Sequence, residues 1–371
     1  MFNFTVRKSV TALDIGQGSV KVVELTSAAG RPVVQKAGLE ELALLSGPDQ
    51  ENPEAREQRY ASALIRLLKR LNLSPQKLIS PVSSIPGEKV SIKQIKSMPL
   101  AADELASSLS FEARKHVPVD GEVLMDYQVV QETAEELDIL LCVTAKESVK
   151  SHLSLLSRAG IRGPVIDAPA LAVVNAWLLH PETDLTPETV LFIHVGASLT
   201  HLCIYRKKGL FFVREIPVAG SHFTKEIADK FSVSLPDAER MKRQKGALVL
   251  PANGGEAGEG AEDKLGFADA ETVRHASLEG LMREIHRSIR FYAKETGKPQ
   301  IDLCVLSGGG VCDASLARHL EAGLRLPCQT PDPFRGLNAK CELPAHGREQ
   351  YTQVMGMALR GMHELLQNQP Q

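Results

Sequence analysis

The sequence predicts an α/β protein of two lobes, each opening on a three-strand meander. Two observations carry this. Val10–Ile15, Ser19–Thr26 and Pro32–Leu39 alternate and turn as strands do, with Gly16, Gly18 and Gly30 at the turns. The same pattern returns at Thr189–Val195, Leu199–Arg206 and Leu210–Pro217, after a helix and a polar connection. Strand and helix signals alternate behind each meander, which is the mark of a layered α/β architecture.

After the first meander, residues 47–58 are polar and carry two prolines, so a loop is expected there. Tyr60, Leu64, Leu67, Leu68 and Leu71 then recur at helical spacing. Lys77–Val82 reads as a short strand. The texture changes at Val90–Met98, a strand. A helix follows at Ala102–His116, with Asp103 and Glu104 where carboxylates favour the dipole. Two strands, Val123–Gln131 and Asp138–Thr144, a helix at Glu147–Ala159 and a strand at Ile161–Asp167 complete a β-α-β-β-α-β unit. The expected organisation is a first lobe of 1–87 and 168–187, an inserted small domain of 88–167, and a second lobe of 188–371. In that second lobe, helices are expected at Ser221–Phe231 and after Ser234, where Ser234 and Asp237 resemble a capping box. Residues 246–268 are rich in Gly, Ala and Glu and read as a flexible surface loop. A long helix over Ser277–Lys294, the strand Ile301–Leu306 and a last helix, Tyr351–Leu366, finish the chain.

The bulk composition narrows the function. The 371 residues are 43% apolar, enough for real cores. A net charge of −2 and only 5% aromatics argue against nucleic acid, which needs a basic surface and stacking groups. None of the six cysteines forms a C-x-x-C pair, and Cys142, Cys203 and Cys304 lie in apolar, strand-like runs as reduced thiols. The longest charge-free apolar stretch, Ala168–Leu179, is short of the ~20 residues a span needs. No leader-like segment opens the sequence. A cytoplasmic protein is expected, with no insertion of its own into a membrane.

The most informative feature is an internal repeat. Asp14-Ile15-Gly16-Gln17-Gly18 and His194-Val195-Gly196-Ala197-Ser198 are both strand-to-strand turns at the head of a meander. Glycine there permits a positive φ and lets a phosphate approach the amide N–H groups. Either turn alone reads as an ordinary hairpin. Two matching turns can clamp a polyphosphate from both sides. Ser307-Gly308-Gly309-Gly310, between a strand and a helix, is a third Gly-rich turn able to bring backbone close to a nucleotide. It lacks the Gly-Lys-Ser/Thr of a Walker A loop.

In this order the three turns resemble the first phosphate, second phosphate and adenosine loops of the actin-like ATPase superfamily. Leu13-Asp14-Ile15-Gly16 with Ser19–Leu25, Asp126-Tyr127, Pro217-Val218-Ala219-Gly220, Ala238–Lys242, Glu284–Ser288 and Leu306–Gly310 are similar to the PilM family of type IV pilus assembly proteins, on the FtsA-like branch. The resemblance runs from Thr11 to about Leu366. It implies an actin-like (ribonuclease H-like) duplicated two-lobe fold, with an FtsA-type small α/β subdomain inserted in the first lobe. It implies ATP or ADP as cofactor, with Mg²⁺ near Asp14. The phosphates would face Asp14, Gly16, Gly18, Ser19 and Lys21 on one side. On the other they would meet Gly196, Ala197 and Ser198, with Gly220 beside them. Gly308 and Gly309 would lie against the nucleoside. Glu239 and Lys242 would contact ribose and base; three apart on a helix, they equally suit a solvated ion pair. Asp14 and Asp167 are the weak candidates for a catalytic carboxylate.

Two departures bear on chemistry. The second loop of the family usually begins with Asp, where this chain has His194, and an acidic residue two positions after Asp167 is here Pro169. Mg²⁺ prefers hard oxygens to imidazole. His194 reads either as a cation for phosphate or as a substitution tolerated under weak catalytic demand. The other histidines, His116, His152, His201, His222 and His319, read as ordinary. The resemblance therefore implies a nucleotide-binding scaffold with weak or no ATPase activity. It would serve a type IV pilus or type II secretion-like assembly. It would be held at the cytoplasmic face of the inner membrane by the N-terminal cytoplasmic segment of a PilN-type partner, and would meet further pilus assembly proteins. The alternatives are an active ATPase or phosphotransferase, and an FtsA-like filament former. The latter needs a basic amphipathic tail, which Leu365–Gln371 does not provide.

Overall fold

The computed structural model describes residues 9–42, 52–116, 121–207, 210–244, 267–297, 299–312 and 314–367. The expected flexible loop at 246–268 lies almost wholly outside them.

The first lobe opens on the meander β1 (Ser9–Ile15), β2 (Ser19–Ala28) and β3 (Arg31–Glu41), followed by α1 (Pro53–Arg70) and β4 (Val82–Ser84). Helix α1 starts earlier than its apolar periodicity suggested. The Asn52 side chain caps it, accepting from the Glu54 and Ala55 N–H groups, with Pro53 just inside. Pro75–Lys77 forms a short 3-10 turn rather than a strand, so the strand expected at Lys77–Val82 is displaced to β4. Proline at the turn's start removes a ladder donor and favours that turn.

Next come β5 (Val90–Ser97), α2 (Ala102–Arg114), β6 (Val123–Glu132), β7 (Leu137–Ala145), α3 (Lys146–Arg158), β8 (Val165–Asp167) and α4 (Pro169–Leu178). The small sheet has the order β5-β7-β6 and is backed by α2 through Leu105 and Leu109. The expected 88–167 unit is too long. Strand β8 joins the first lobe beside β4, and α3 buries Leu155 and Leu156 among Leu64, Leu67 and Leu68 of α1. The apolar side of α3 finds its partner there.

The second lobe contains β9 (Thr189–Val195), β10 (Thr200–Arg206), β11 (Leu210–Ile216), α5 (Gly220–Phe231), α6 (Leu235–Gln244), α7 (Phe267–Thr296), β12 (Leu303–Ser307), α8 (Ala314–Leu324) and β13 (Cys328–Gln329). The chain then returns to the first lobe as β14 (Asn338–Ala339) and α9 (Thr352–Gln367). Strand β14 pairs with β3, and α9 buries Val354, Met357 and Ala358 against Val10, Ala12 and Val23. This corrects the expectation that 188–371 stays together, because the apolar face of α9 covers the first sheet.

The duplication seen in sequence is a duplication of sheets. The first runs β14-β3-β2-β1-β4-β8 and the second β11-β10-β9-β12-β13. In each, an antiparallel meander continues into two parallel strands. Helices α4 and α9 pack so closely that a methyl group at Gly356 would run into the Ala172 carbonyl. Trp177 of α4 packs on Phe192 of the second sheet, so this helix pair joins the lobes.

Candidate functional site

Both hairpins hold their turns by the same bond. Gly16 donates its N–H to the Ser19 carbonyl at 3.0 Å, and Gly196 donates to the Leu199 carbonyl at 2.9 Å. Contrary to expectation, Gly16, Gly18 and Gly196 are not among the positive-φ residues. Their missing side chain provides clearance instead. A Cβ on Gly196 would sit 2.9 Å from the Leu199 carbonyl oxygen, and one on Gly18 would sit 3.2 Å from Ala197 Cβ. The second approach crosses between lobes: the two turns face each other with about a methyl group's room between Gly18 and Ala197.

Antiparallel register sets the residues behind the turns. Asp14 stands opposite Lys21, and His194 stands opposite His201. Asp14 is buried, and both its oxygens are engaged. Lys21 Nζ lies 3.0 Å from Oδ2, while Gln353 Nε2 donates to Oδ1 at 2.9 Å and to Ser84 Oγ at 3.1 Å. Gln353 comes from α9, which explains why sequence reasoning missed it. It becomes a neighbour only because the chain returns to the first lobe.

His194 is buried with Nδ1 2.9 Å from the Ser307 hydroxyl, its register partner on β12. Its ring stacks on His201 at 5.8 Å and 30°. Burial first, then His201 and the Lys21 charge, hold the His194 imidazole well below its ordinary range. It is neutral at neutral pH, so its reading as a phosphate-binding cation is corrected. His201 is not an ordinary surface histidine either: its Nδ1 lies 2.8 Å from Glu215 Oε1. The signal for this pair was available, since a turn centred on 197–198 places 194 opposite 201.

Behind the second turn, the N-terminal amides of α5 are spent on carbonyls of the turn. Gly220 N–H donates to Gly196 at 3.1 Å and Ser221 N–H to Ala197 at 2.6 Å. Lys242 Nζ donates to the Gly220 carbonyl at 3.0 Å and to Thr224 Oγ1 at 2.7 Å, and lies 2.5 Å from Glu239 Oε2. Glu239 and Lys242 are therefore a partly buried pair tying α6 to α5, not a solvated one. Gly308 has φ +93°, and a methyl group there would run into the Val195 carbonyl. Gly310 donates its N–H to that carbonyl at 2.9 Å. Gly309 is exposed and faces open space.

Asp167 ends β8 level with Ser84. Its Oδ1 accepts from the Ala168 N–H at 2.7 Å and meets Arg360 of α9 at 3.2 Å. Burial raises its pKa, and Arg360 opposes that rise. Among the described residues, no group of three or more His, Cys, Asp or Glu side chains is placed to hold a metal ion. A cation needing near-octahedral hard oxygens finds Asp14 already paired and a neutral imidazole at the opposite turn. The side chains present do not fit a protein-held Mg²⁺.

The sequence profile of the type IV pilus assembly protein PilM matches residues 12–253. The chain belongs to the PilM family. The profile of the cell division protein FtsA also matches, over residues 191–369. FtsA of Bacillus subtilis (strain 168) is 31% identical over 111 residues, covering 30% of this chain but only 24% of that protein. Among solved structures, a PilM-PilN type IV pilus biogenesis complex superposes with a TM-score of 0.77 at 21% identity, covering 96% of this chain and 99% of that one. The ethanolamine utilization protein EutJ from Carboxydothermus hydrogenoformans gives 0.53 at 13% identity, with coverages of 95% and 89%. MreB5 of Spiroplasma citri bound to ADP gives 0.50 at 13%, with coverages of 98% and 99%. The family's fold here is the actin-like two-lobe fold. Among the described residues, no helix is long and apolar enough to cross a membrane.

Proposed function

We propose that this chain is a nucleotide-binding scaffold of type IV pilus assembly, with slow or absent hydrolysis. It is held at the cytoplasmic face of the inner membrane by the N-terminal cytoplasmic segment of a PilN-type protein. The observation that carries the nucleotide reading is that two turns of matching backbone bonding face each other, Gly18 towards Ala197. Backbone amides and one lysine, Lys21, are the groups that would hold an ATP or ADP phosphate chain there. Ser19 and Ser198 flank it, and Gly309 offers open backbone to the nucleoside. Slow hydrolysis is supported by the first carboxylate: both oxygens of Asp14 are engaged, by Lys21 and Gln353, while Asp167 is held by Arg360 through Oδ1.

The partner reading is supported by a cavity of about 380 Å³ in the small domain, between the end of α2 and the start of β6 and beside Lys146 at the head of α3. Ala113, Val123 and Met125 give it an apolar floor, with Arg114, Glu122 and Lys146 at its rim. A short, partly apolar peptide suits such a groove, because burial must offset the entropy of ordering it. Calorimetric titration of the full chain with the partner's cytoplasmic segment tests this. Met125→Glu should weaken binding at least about tenfold, by roughly 1.4 kcal/mol. Equal affinity in wild type and variant would refute the groove assignment. A steady-state rate near the enzyme median of about 10 s⁻¹ would rule out the scaffold-only reading in favour of the alternative, an active ATPase or phosphotransferase.

A further inference from the structure

Cys304 and Cys328 are register partners on the adjacent parallel strands β12 and β13. Neighbouring strands lie about 4.8 Å apart, inside the Cα separation of roughly 4.4–6.8 Å that a disulfide spans. Both side chains face the same core. Cys304 is wholly buried in the cluster around Leu306, Leu320 and Leu324, and Cys328 packs against that cluster from a half-buried position. The Cys328 thiol donates to the Leu326 carbonyl at 3.4 Å, beside its register partner.

The position of the pair gives it meaning. Strand β13 has two residues and forms the edge of the second sheet. Directly after Gln329 the chain leaves for the first lobe, where Asn338 and Ala339 pair with β3. Cys328 thus stands at the root of a crossover between lobes. Cys304 stands on the strand that leads into Ser307 and the Gly308–Gly310 turn.

We propose that Cys304 and Cys328 form a reversible intramolecular disulfide that staples the interlobe crossover to β12. The geometry also assigns the order of events. Cys328 is the half-buried thiol and Cys304 the wholly buried one, so Cys328 meets a soluble disulfide first. With a small disulfide such as oxidised glutathione, the Cys328 thiolate attacks one sulfur and releases one glutathione thiolate, which takes up a proton. Cys304 then gives up its proton and attacks the Cys328 sulfur of the mixed disulfide, releasing the second glutathione. Two protein thiols and one glutathione disulfide become one protein disulfide and two glutathione thiols. The protein loses two electrons and glutathione gains them. A reducing glutathione pool reverses the exchange.

The test treats the folded full-length chain with excess oxidised glutathione, then maps peptides by mass spectrometry without reduction. The expected result is a single cross-linked pair joining the Cys304 and Cys328 peptides, two hydrogens lighter than the sum, and lost on adding dithiothreitol. Cys304→Ser removes the resolving thiol and should leave glutathione stably attached at Cys328. Cys328→Ser should leave Cys304 unmodified, because no accessible thiol starts the reaction. The inference is overturned if, after oxidation of the folded wild-type chain and denaturation without reductant, Cys304 and Cys328 are both alkylated. It is equally overturned if Cys328 pairs with Cys142, Cys312 or Cys341 instead.

Discussion

The two hairpin turns have the same backbone and different chemistry. Each hangs from a glycine N–H bonded three residues on, at 3.0 and 2.9 Å, and each begins two residues after a buried polar side chain paired across the hairpin. In the first hairpin that pair is ionic, Asp14 with Lys21. In the second it is a stack of imidazoles, His194 on His201. Backbone cradles bind anions with dipoles that any sequence can supply, whereas metal and water orientation need specific carboxylates. On the proposed function, the paired turns keep the first and lack part of the second.

The comparison can be broken by attacking what supports each turn. The second rests on Gly308, whose left-handed φ and tight approach to Val195 leave no room for a side chain. Gly308→Ala should cost about 4 kcal/mol from strain and overpacking together, read as a lower urea midpoint. Gly16→Ala, with 3.3 Å of clearance, should cost clearly less. Equal losses would mean that the two turns are braced alike.

Acid should reveal the buried imidazoles behind both turns. His152 Nε2 lies 2.9 Å from Ser83 Oγ, which itself bonds the Leu13 carbonyl next to Asp14. Burial brings the His152 pKa down from 6.5 to about 4. Its folded pKa is depressed, so between these values the unfolded chain binds more protons. Stability is full above pH 6.5 and falls as the pH drops towards 4, by about 3 kcal/mol for this group. His194 acts in the same direction. Asp167, raised by burial, acts in the opposite direction above pH 3.8. The contribution is therefore measured as the difference in pH slope between wild type and His152→Gln. Identical slopes would show that His152 titrates normally.

A third change tests the meeting of the turns. Gly18→Val places a branched side chain against Ala197 and should weaken ATP binding at least about tenfold, measured by calorimetry. The smallest expected effect belongs to His194→Asp. A carboxylate at the head of the second turn, opposite His201, should increase the magnesium dependence of ATP affinity by a few-fold, about 1 kcal/mol. No change with magnesium would place residue 194 away from the phosphates.

Much of this was legible because it is local. The Gly turns, the meanders and the helix caps at Ser234 and Asp237 depend on residues a few positions apart. Contacts made by chain return were not legible. Gln353 on Asp14, Arg360 on Asp167 and the docking of α9 on the first sheet join residues separated by most of the chain. The apolar pattern of α9 announced a buried face without naming the sheet that buries it. The small domain was overdrawn for the same reason, since α3 and β8 follow its strands in sequence but pack with α1 and β4. Burial favours the neutral form of His194, a property that residue type alone does not carry.

The central claim is that the paired turns bind nucleotide without turning it over at an enzyme's pace. Single-turnover assay of ATP bound to the purified chain, with and without magnesium, tests this most directly. The account predicts saturable binding at micromolar concentration or tighter, roughly −8 kcal/mol or more favourable, with hydrolysis far slower than the enzyme median of about 10 s⁻¹. Bound ATP hydrolysed at that rate, or no ATP binding at all, would contradict it.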